Sequence, residues 1–189
     1  MAATIVIVVI IAVLGLIIIG VYNRLVTLNV RADQAFADID VQLKQRQDLI
    51  PNLVETVKGY AAHEKGTLEA VIAARNAAAC ATTVEQKVQA EGVLSGALRQ
   101  LFAVAEAYPD LKANTNFLNL QDQLADLENK LAAARRFFNN AVAEFNAARR
   151  GFPAVVFAGM FGFSQDRSLY DVGSDSRAAM DAAPPSVKF

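Results

Sequence analysis

From Ile5 to Val21 the chain carries neither a charged nor a polar side chain, and Ala2 to Thr4 extend the stretch. About 20 residues rising ~1.5 Å each cover ~30 Å, the thickness of a bilayer's hydrocarbon core. A cleaved signal peptide would show a basic n-region, a shorter apolar core and a small-x-small cleavage site. Here no Lys or Arg precedes the run, and Ile18-Ile19-Gly20 puts a bulky residue at the −3 position. Residues 1–23 therefore read as a permanent transmembrane anchor, with Ile5, Val9, Val13, Leu16, Ile19 and Val21 along it. The nearby basic side chains, Arg24 and Arg31, lie on the C-terminal flank, and basic flanks favour the cytoplasm. The expectation is a single-pass protein of the bacterial inner (cytoplasmic) membrane, N-terminus outside, with the rest of the chain on the cytoplasmic side.

Beyond the anchor the pattern is helical. Leu25, Leu28, Ala32, Ala35, Ile39, Leu43, Ile50, Leu53, Val57 and Tyr60 recur at steps of three or four, with one gap at Arg46. The stripe keeps phase through Pro51. A proline that stopped a helix would release the register, so the phase favours one continuous helix kinked at Pro51, where the carbonyl of Gln47 loses its backbone donor. The rival reading starts a new helix at Pro51, with Asp48 just upstream. The stripe extends on to Ala78, because Gly59 and Gly66 weaken it without a clear break. "CATTVEQ" then supplies a turn, with Thr82 or Thr83 as a cap.

A second helix places Val84, Val88, Leu94, Leu98, Leu101, Phe102 and Ala105 on one face, and ends where Tyr108 precedes Pro109. A third runs from Phe117 to Ala148 in unbroken alternating steps of three and four, a coiled-coil-like seam. A residue of "KANTN" caps its start; Gly151 and Pro153 end it, after Arg149 and Arg150 have met its negative end. Short connections make neighbours antiparallel. The fold expected is all-α: a transmembrane helix, then an elongated antiparallel bundle of three long helices over residues 24–151. Three helices that run out, back and out again place Gly151 far from the anchor.

Little chemistry is offered. The formal net charge of −1 supplies no basic field for nucleic acid, and the pairs Arg135-Arg136 and Arg149-Arg150 are too sparse for one. His63 is the sole histidine, which rules out a catalytic triad or a two-histidine metal site within one chain. Asp48, Asn52 and Glu55 share a polar face beside the proline; such a row is more often a solvated face than a cation site. The lone Cys80 among alanines reads as a small packing residue. No phosphate-binding loop, nucleophile elbow or CxxC motif occurs. The sequence implies no enzyme, catalytic residue, metal or cofactor.

"GFPAVVFAGMFGF", residues 151–163, does not fit a plain soluble bundle. It is too short to span a bilayer, and three readings stay open: a lid on the bundle's end, a contact between subunits, or an insertion into the membrane surface. Phe152, Val156, Phe157, Phe161 and Phe163 are the assembly candidates within the apolar segment 152–163. Residues 164–189 read as a flexible tail.

The blocks "YNRLVTL", "DIDVQLKQRQDLIPNLVETVKGYAAHE", "LEAVIAARNA", "LFAVAEAYPDLKAN", "NFLNLQDQL" and "FNAARRGFP" resemble the LemA family over essentially residues 1–163. The resemblance implies a membrane-anchored helical bundle exposed to the cytoplasm, and brings no catalytic residue with it. The chain departs from the family pattern at Gln47, where a histidine is common, at Gly66, and in its diluted acidic tail. Together these features favour a non-enzymatic scaffold that works at the lipid bilayer as a homo-oligomer. The second reading is a membrane-tethered adaptor that recruits a signalling or protease partner of unknown identity. A hydrolase with an unfamiliar site near Pro51 is the third.

Overall fold

The computed structural model describes residues 1–170, and the flexible tail expected after Ser164 lies, from residue 171 on, outside them. Its elements are α1 (Ala2–Lys58), α2 (Lys65–Cys80), α3 (Val84–Ala105), α4 (Pro109–Lys112), α5 (Thr115–Arg150) and α6 (Ala154–Phe157). No strand occurs among the described residues, as the sequence pattern predicts. The chain divides into two compact units, one joining residues 1–42 to 129–169, the other built on residues 43–128.

In the first unit α1 and α5 run antiparallel. Leu25 clusters with Phe145, Arg31 pairs with Glu144 at 2.9 Å, and Phe36 packs on Phe138 with ring centroids 5.5 Å apart. Residue numbers rise along α1 as they fall along α5. The core of this unit is the set Leu25, Ala32, Ala35 and Ile39 from α1 with Phe138, Ala141, Val142 and Phe145 from α5, all buried. Apart from Val142, these are members of the two stripes read from the sequence. The start of the expected tail is tied down: Arg167 reaches Asp33 at 2.6 Å and Asn29 at 2.7 Å, and exchanges backbone bonds with the Asn146 amide.

In the second unit Ile50, Leu53, Val54 and Val57 of α1 close one continuous cluster with Leu68 and Val71 of α2 and Leu94, Leu98 and Leu101 of α3. Phe117 and Leu124 of α5 complete it. Thr83 caps α3 through a reciprocal box with Gln86, and Asn114 caps α5 by accepting from the amides of Asn116 and Phe117.

The expectation of three long helices needs correction at one place. The stripe does not continue through residues 59–64: α1 ends at Lys58, a turn follows, and α2 begins at Lys65. Gly59 removes helix propensity at the break, and the chain gains new partners there. The amides of Tyr60 and Ala61 both fold back to the Val57 carbonyl, and Ala61 is buried in the core cluster. Asn114 donates to the Tyr60 hydroxyl at 2.9 Å, and Tyr108 donates to Glu64 at 3.3 Å.

Pro51 lies inside α1, so the helix passes through it rather than starting there. The backbone acceptor that the proline leaves without its helical donor is the Gln47 carbonyl. Arg75, from α2, donates its Nε–H to that oxygen at 3.3 Å. A defect in one helix thus becomes the docking point of the next.

A double-mutant cycle checks this. In the native background Arg75→Ala should cost about 1–3 kcal/mol, the usual cost of stranding a buried acceptor. With Pro51→Ala in place, the new amide reaches the Gln47 carbonyl, and the same Arg75→Ala should cost well under half as much. Pro51→Ala alone should retain or gain helix. Additive costs in urea denaturation followed by far-UV dichroism would refute the coupling, as would an unfolded Pro51→Ala protein.

Candidate functional site at the membrane-proximal end

Helix α1 is long and apolar enough to cross a membrane, and none of its most apolar window is buried within the chain. Ile5, Val9, Val13, Leu16 and Ile19 stand exposed on the helix, whereas Val21 packs against the Leu25 cluster. The surroundings of α1 therefore change at Val21 and Tyr22: side chains before that level are left uncovered by the rest of the chain, and those after it begin to find protein partners.

The C-terminal apolar segment meets α1 at this level. Because α5 runs antiparallel to α1, its end at Arg150 returns toward the anchor instead of pointing away from it. The rings of Tyr22 and Phe161 stand 5.1 Å apart, edge to face. Ala154 and Ala158 are buried against Leu25, with Val21, Leu28, Phe161 and Phe163 packed around them. The distal placement expected from three helices is overturned by these contacts.

The segment holds its shape through a specific stop. Gly162 adopts φ +84°, a conformation that favours glycine, and the Phe163 amide bonds back to the Ala158 carbonyl at 2.9 Å. That turn lays Phe163 on Phe145, centroids 5.7 Å apart. Arg149 and Arg150 both pair with Asp166, which offsets their charge beside the apolar stretch. Of the assembly candidates, Phe161 and Phe163 are half-buried in the cluster and Phe157 stacks on Phe161. Phe152 and Val156 are exposed.

The second unit contains a buried charge cluster that the sequence reading passed over. Arg46 and Glu91 are almost wholly buried and pair at 2.9 Å; the other Arg46 nitrogen meets Glu128 at 2.6 Å and Ser95 at 2.9 Å. One guanidinium from α1 thereby ties α3 and α5. A signal for it was present: the α1 stripe has its gap at Arg46, and the α3 stripe has a gap between Val88 and Leu94, where Glu91 sits. Opposite charges filling gaps in two apolar stripes are a paired-core signature.

The remaining candidates stay apart. Asp48 pairs with Lys44 and Glu55 with Lys58, all on α1, with Asn52 exposed between them. His63 is exposed in the turn before α2. Cys80 is exposed as well, contrary to its reading as a packing residue. The buried face of α2 is Leu68, Val71, Ala74 and Ala78, and two residues past Ala78 the helix has turned Cys80 away from it. Among the described residues, no three His, Cys, Asp or Glu side chains gather as a metal site would require.

Comparison with known proteins agrees with the family resemblance read from the sequence. The model of the LemA family matches residues 35–189. Magnetosome protein MamQ of Magnetospirillum gryphiswaldense is 24% identical over 170 residues, covering 76% of this chain and 62% of that protein. Magnetosome proteins MamQ 1 and MamQ 2 of Paramagnetospirillum magneticum are each 22% identical over 170 residues, with the same coverage. The chain thus spans less than two thirds of the length of these curated relatives.

The Arg46 cluster generates a stability test. Arg46→Met alone removes the guanidinium that pairs with the buried Glu91 carboxylate and should cost about 3–5 kcal/mol. Adding Glu91→Met should recover most of that loss, since apolar replacement of a buried pair is often neutral or stabilising. Urea midpoints of the detergent-solubilised protein give both values. A double variant no more stable than Arg46→Met would show that the cluster's worth lies in Glu128 and Ser95 instead.

Proposed function

The chain belongs to the LemA family, and on that premise we propose that it is a non-enzymatic membrane-anchored scaffold that acts by associating with copies of itself. The observation that carries this reading is the continuity of α1. The helix that exposes Ile5 to Ile19 also buries Leu25, Ala32, Ala35 and Ile39, with no linker between the two roles. A recruiting tether gains from slack, because slack widens its reach. A scaffold gains from its absence: every copy in one membrane then presents the same face at the same height. Confinement to a membrane also raises the effective concentration of copies for one another.

Two further points support it. Among the described residues, a surface groove of about 370 Å³ is bordered by Ala77, Cys80, Ala81, Ala90 and Val93 and is lined without a convergent set of catalytic groups. The relatives carry the name of the magnetosome rather than of a reaction. The same reading places the bundle on the cytoplasmic side of the inner membrane, from the basic flank at Arg24 and Arg31.

Protein extracted in mild detergent should sediment as a discrete species of several copies. A monomer at all concentrations would overturn self-association and leave the adaptor reading. Sidedness is checked separately. In inverted inner-membrane vesicles the bundle should be cleaved by added protease, and two lysines placed before Ile5, with Arg24 and Arg31 neutralised, should reverse or scramble that accessibility. A bundle protected in inverted vesicles would contradict the cytoplasmic placement.

A further inference from the structure

Residues 152–160 are packed the wrong way round for a lid. The side chains turned inward, against Leu25, are the small ones, Ala154 and Ala158. Those turned outward are large: Phe152 is 87% exposed, Met160 83%, Val156 60% and Val155 55%. A lid on a soluble bundle would do the reverse, because burial of large apolar side chains is what holds a lid shut. From Gly151 to Phe163 the segment has no charged residue, so nothing in it opposes leaving water.

Its position names what covers it. Phe161 touches Tyr22, and Val21, the last residue of the anchor's apolar run, belongs to the same cluster. A helix leaving a bilayer at Val21 places Tyr22 at the headgroup level, where tyrosine is favoured. The outward face of residues 152–160 is held beside that point by the buried alanines. The neighbouring Arg149 and Arg150 are paired with Asp166, so they do not hold the segment up in water as bare charges.

We propose that residues 152–160 insert into the interfacial layer of the same bilayer that α1 crosses, with Phe152, Val155, Val156 and Met160 against the upper acyl chains. The chain then grips its membrane at two points, one spanning and one lying in the surface. Two points restrict the tilt and rotation of α1 in a way that a single helix cannot. The inference does not depend on self-association.

The chain contains no tryptophan, so a single introduced indole reports without background. Full-length Phe152→Trp and Met160→Trp proteins would be reconstituted in phosphatidylcholine vesicles with acyl chains brominated near the glycerol or near the bilayer centre. Both sites are so exposed that an indole fits without repacking. Shallow bromine should reduce emission to roughly half, more than deep bromine does, as expected for a segment ~5–10 Å into the headgroup boundary. Phe137→Trp, on α5 beside Arg31, should remain open to iodide, and Ile10→Trp should report the deep limit. Red emission with free access of iodide at both reporter sites would put the segment in water and overturn the proposal. Blue emission without bromine quenching would overturn it in favour of a protein cover, such as a second copy. Neither outcome turns on particle size, so the scaffold reading is judged separately by sedimentation.

Discussion

A backbone inside hydrocarbon has no water to bond with, and a single segment can satisfy its own amides and carbonyls only as a helix. On the proposed anchor reading that constraint sets the first part of α1, and the helix does not stop where its apolar run ends. It continues to Lys58. What changes along it is what each face meets: no other part of the chain around Ile5 to Ile19, then the buried contacts of Leu25, Ala32, Ala35 and Ile39 with α5 and the returning segment. Antiparallel α5 is the feature with the widest reach, since it brings the end of α5 back to the level of Val21 and Tyr22.

Within the second unit, polar atoms rather than apolar ones fix which arrangement is adopted. Leucines and valines in the core could slide by a turn with modest loss. The Gln47 carbonyl opposite Pro51 accepts from Arg75 in one register of α2, and Arg46 reaches Glu91, Glu128 and Ser95 in one register of α3 and α5. A misregistered packing would leave a buried guanidinium without its carboxylates, several kcal/mol worse at about 3–5 kcal/mol for a broken buried pair. Both devices sit within one turn and a half of each other on α1. The proline that looked like a flaw in the helix is part of this specification.

The long stripes were legible because period and burial coincide: the Phe117–Ala148 seam contributes Phe117, Leu124, Leu127, Leu131, Phe138, Ala141 and Phe145 to the buried set. The caps at Thr83 and Asn114 were legible for a similar reason, as local chemistry that needs no partner from afar. The turn at residues 59–64 was not. Glycine lowers helix propensity by about 1 kcal/mol, too little to decide a break. The break is carried by Tyr60, Ala61 and Glu64 finding Asn114, the core and Tyr108, partners ~40–55 residues distant that no local pattern announces. Cys80 shows the same limit in miniature: an alanine-rich helix offers nearly equal faces, and only the position of α3 selects Ala74 and Ala78 as the buried one.

The apolar segment at residues 151–163 shows how placement bears on what a hydrophobic face can meet. Hydrophobicity states that a side chain avoids water; it does not state what covers it. A lid, a subunit contact and a lipid surface draw on the same phenylalanines, so composition alone left the three level. At an end remote from the bilayer, association would be the natural cover. Phe161 instead lies on Tyr22, and the exposed face of Phe152, Val156 and Met160 stands beside the apolar run of α1, which is what favours the third reading in our proposal. Under that proposal, small side chains inward and large ones outward across residues 152–160 become a sensible division of labour. The alanines let the segment approach α1 closely enough to be held at the interface, and the large residues are left for the solvent that is already there.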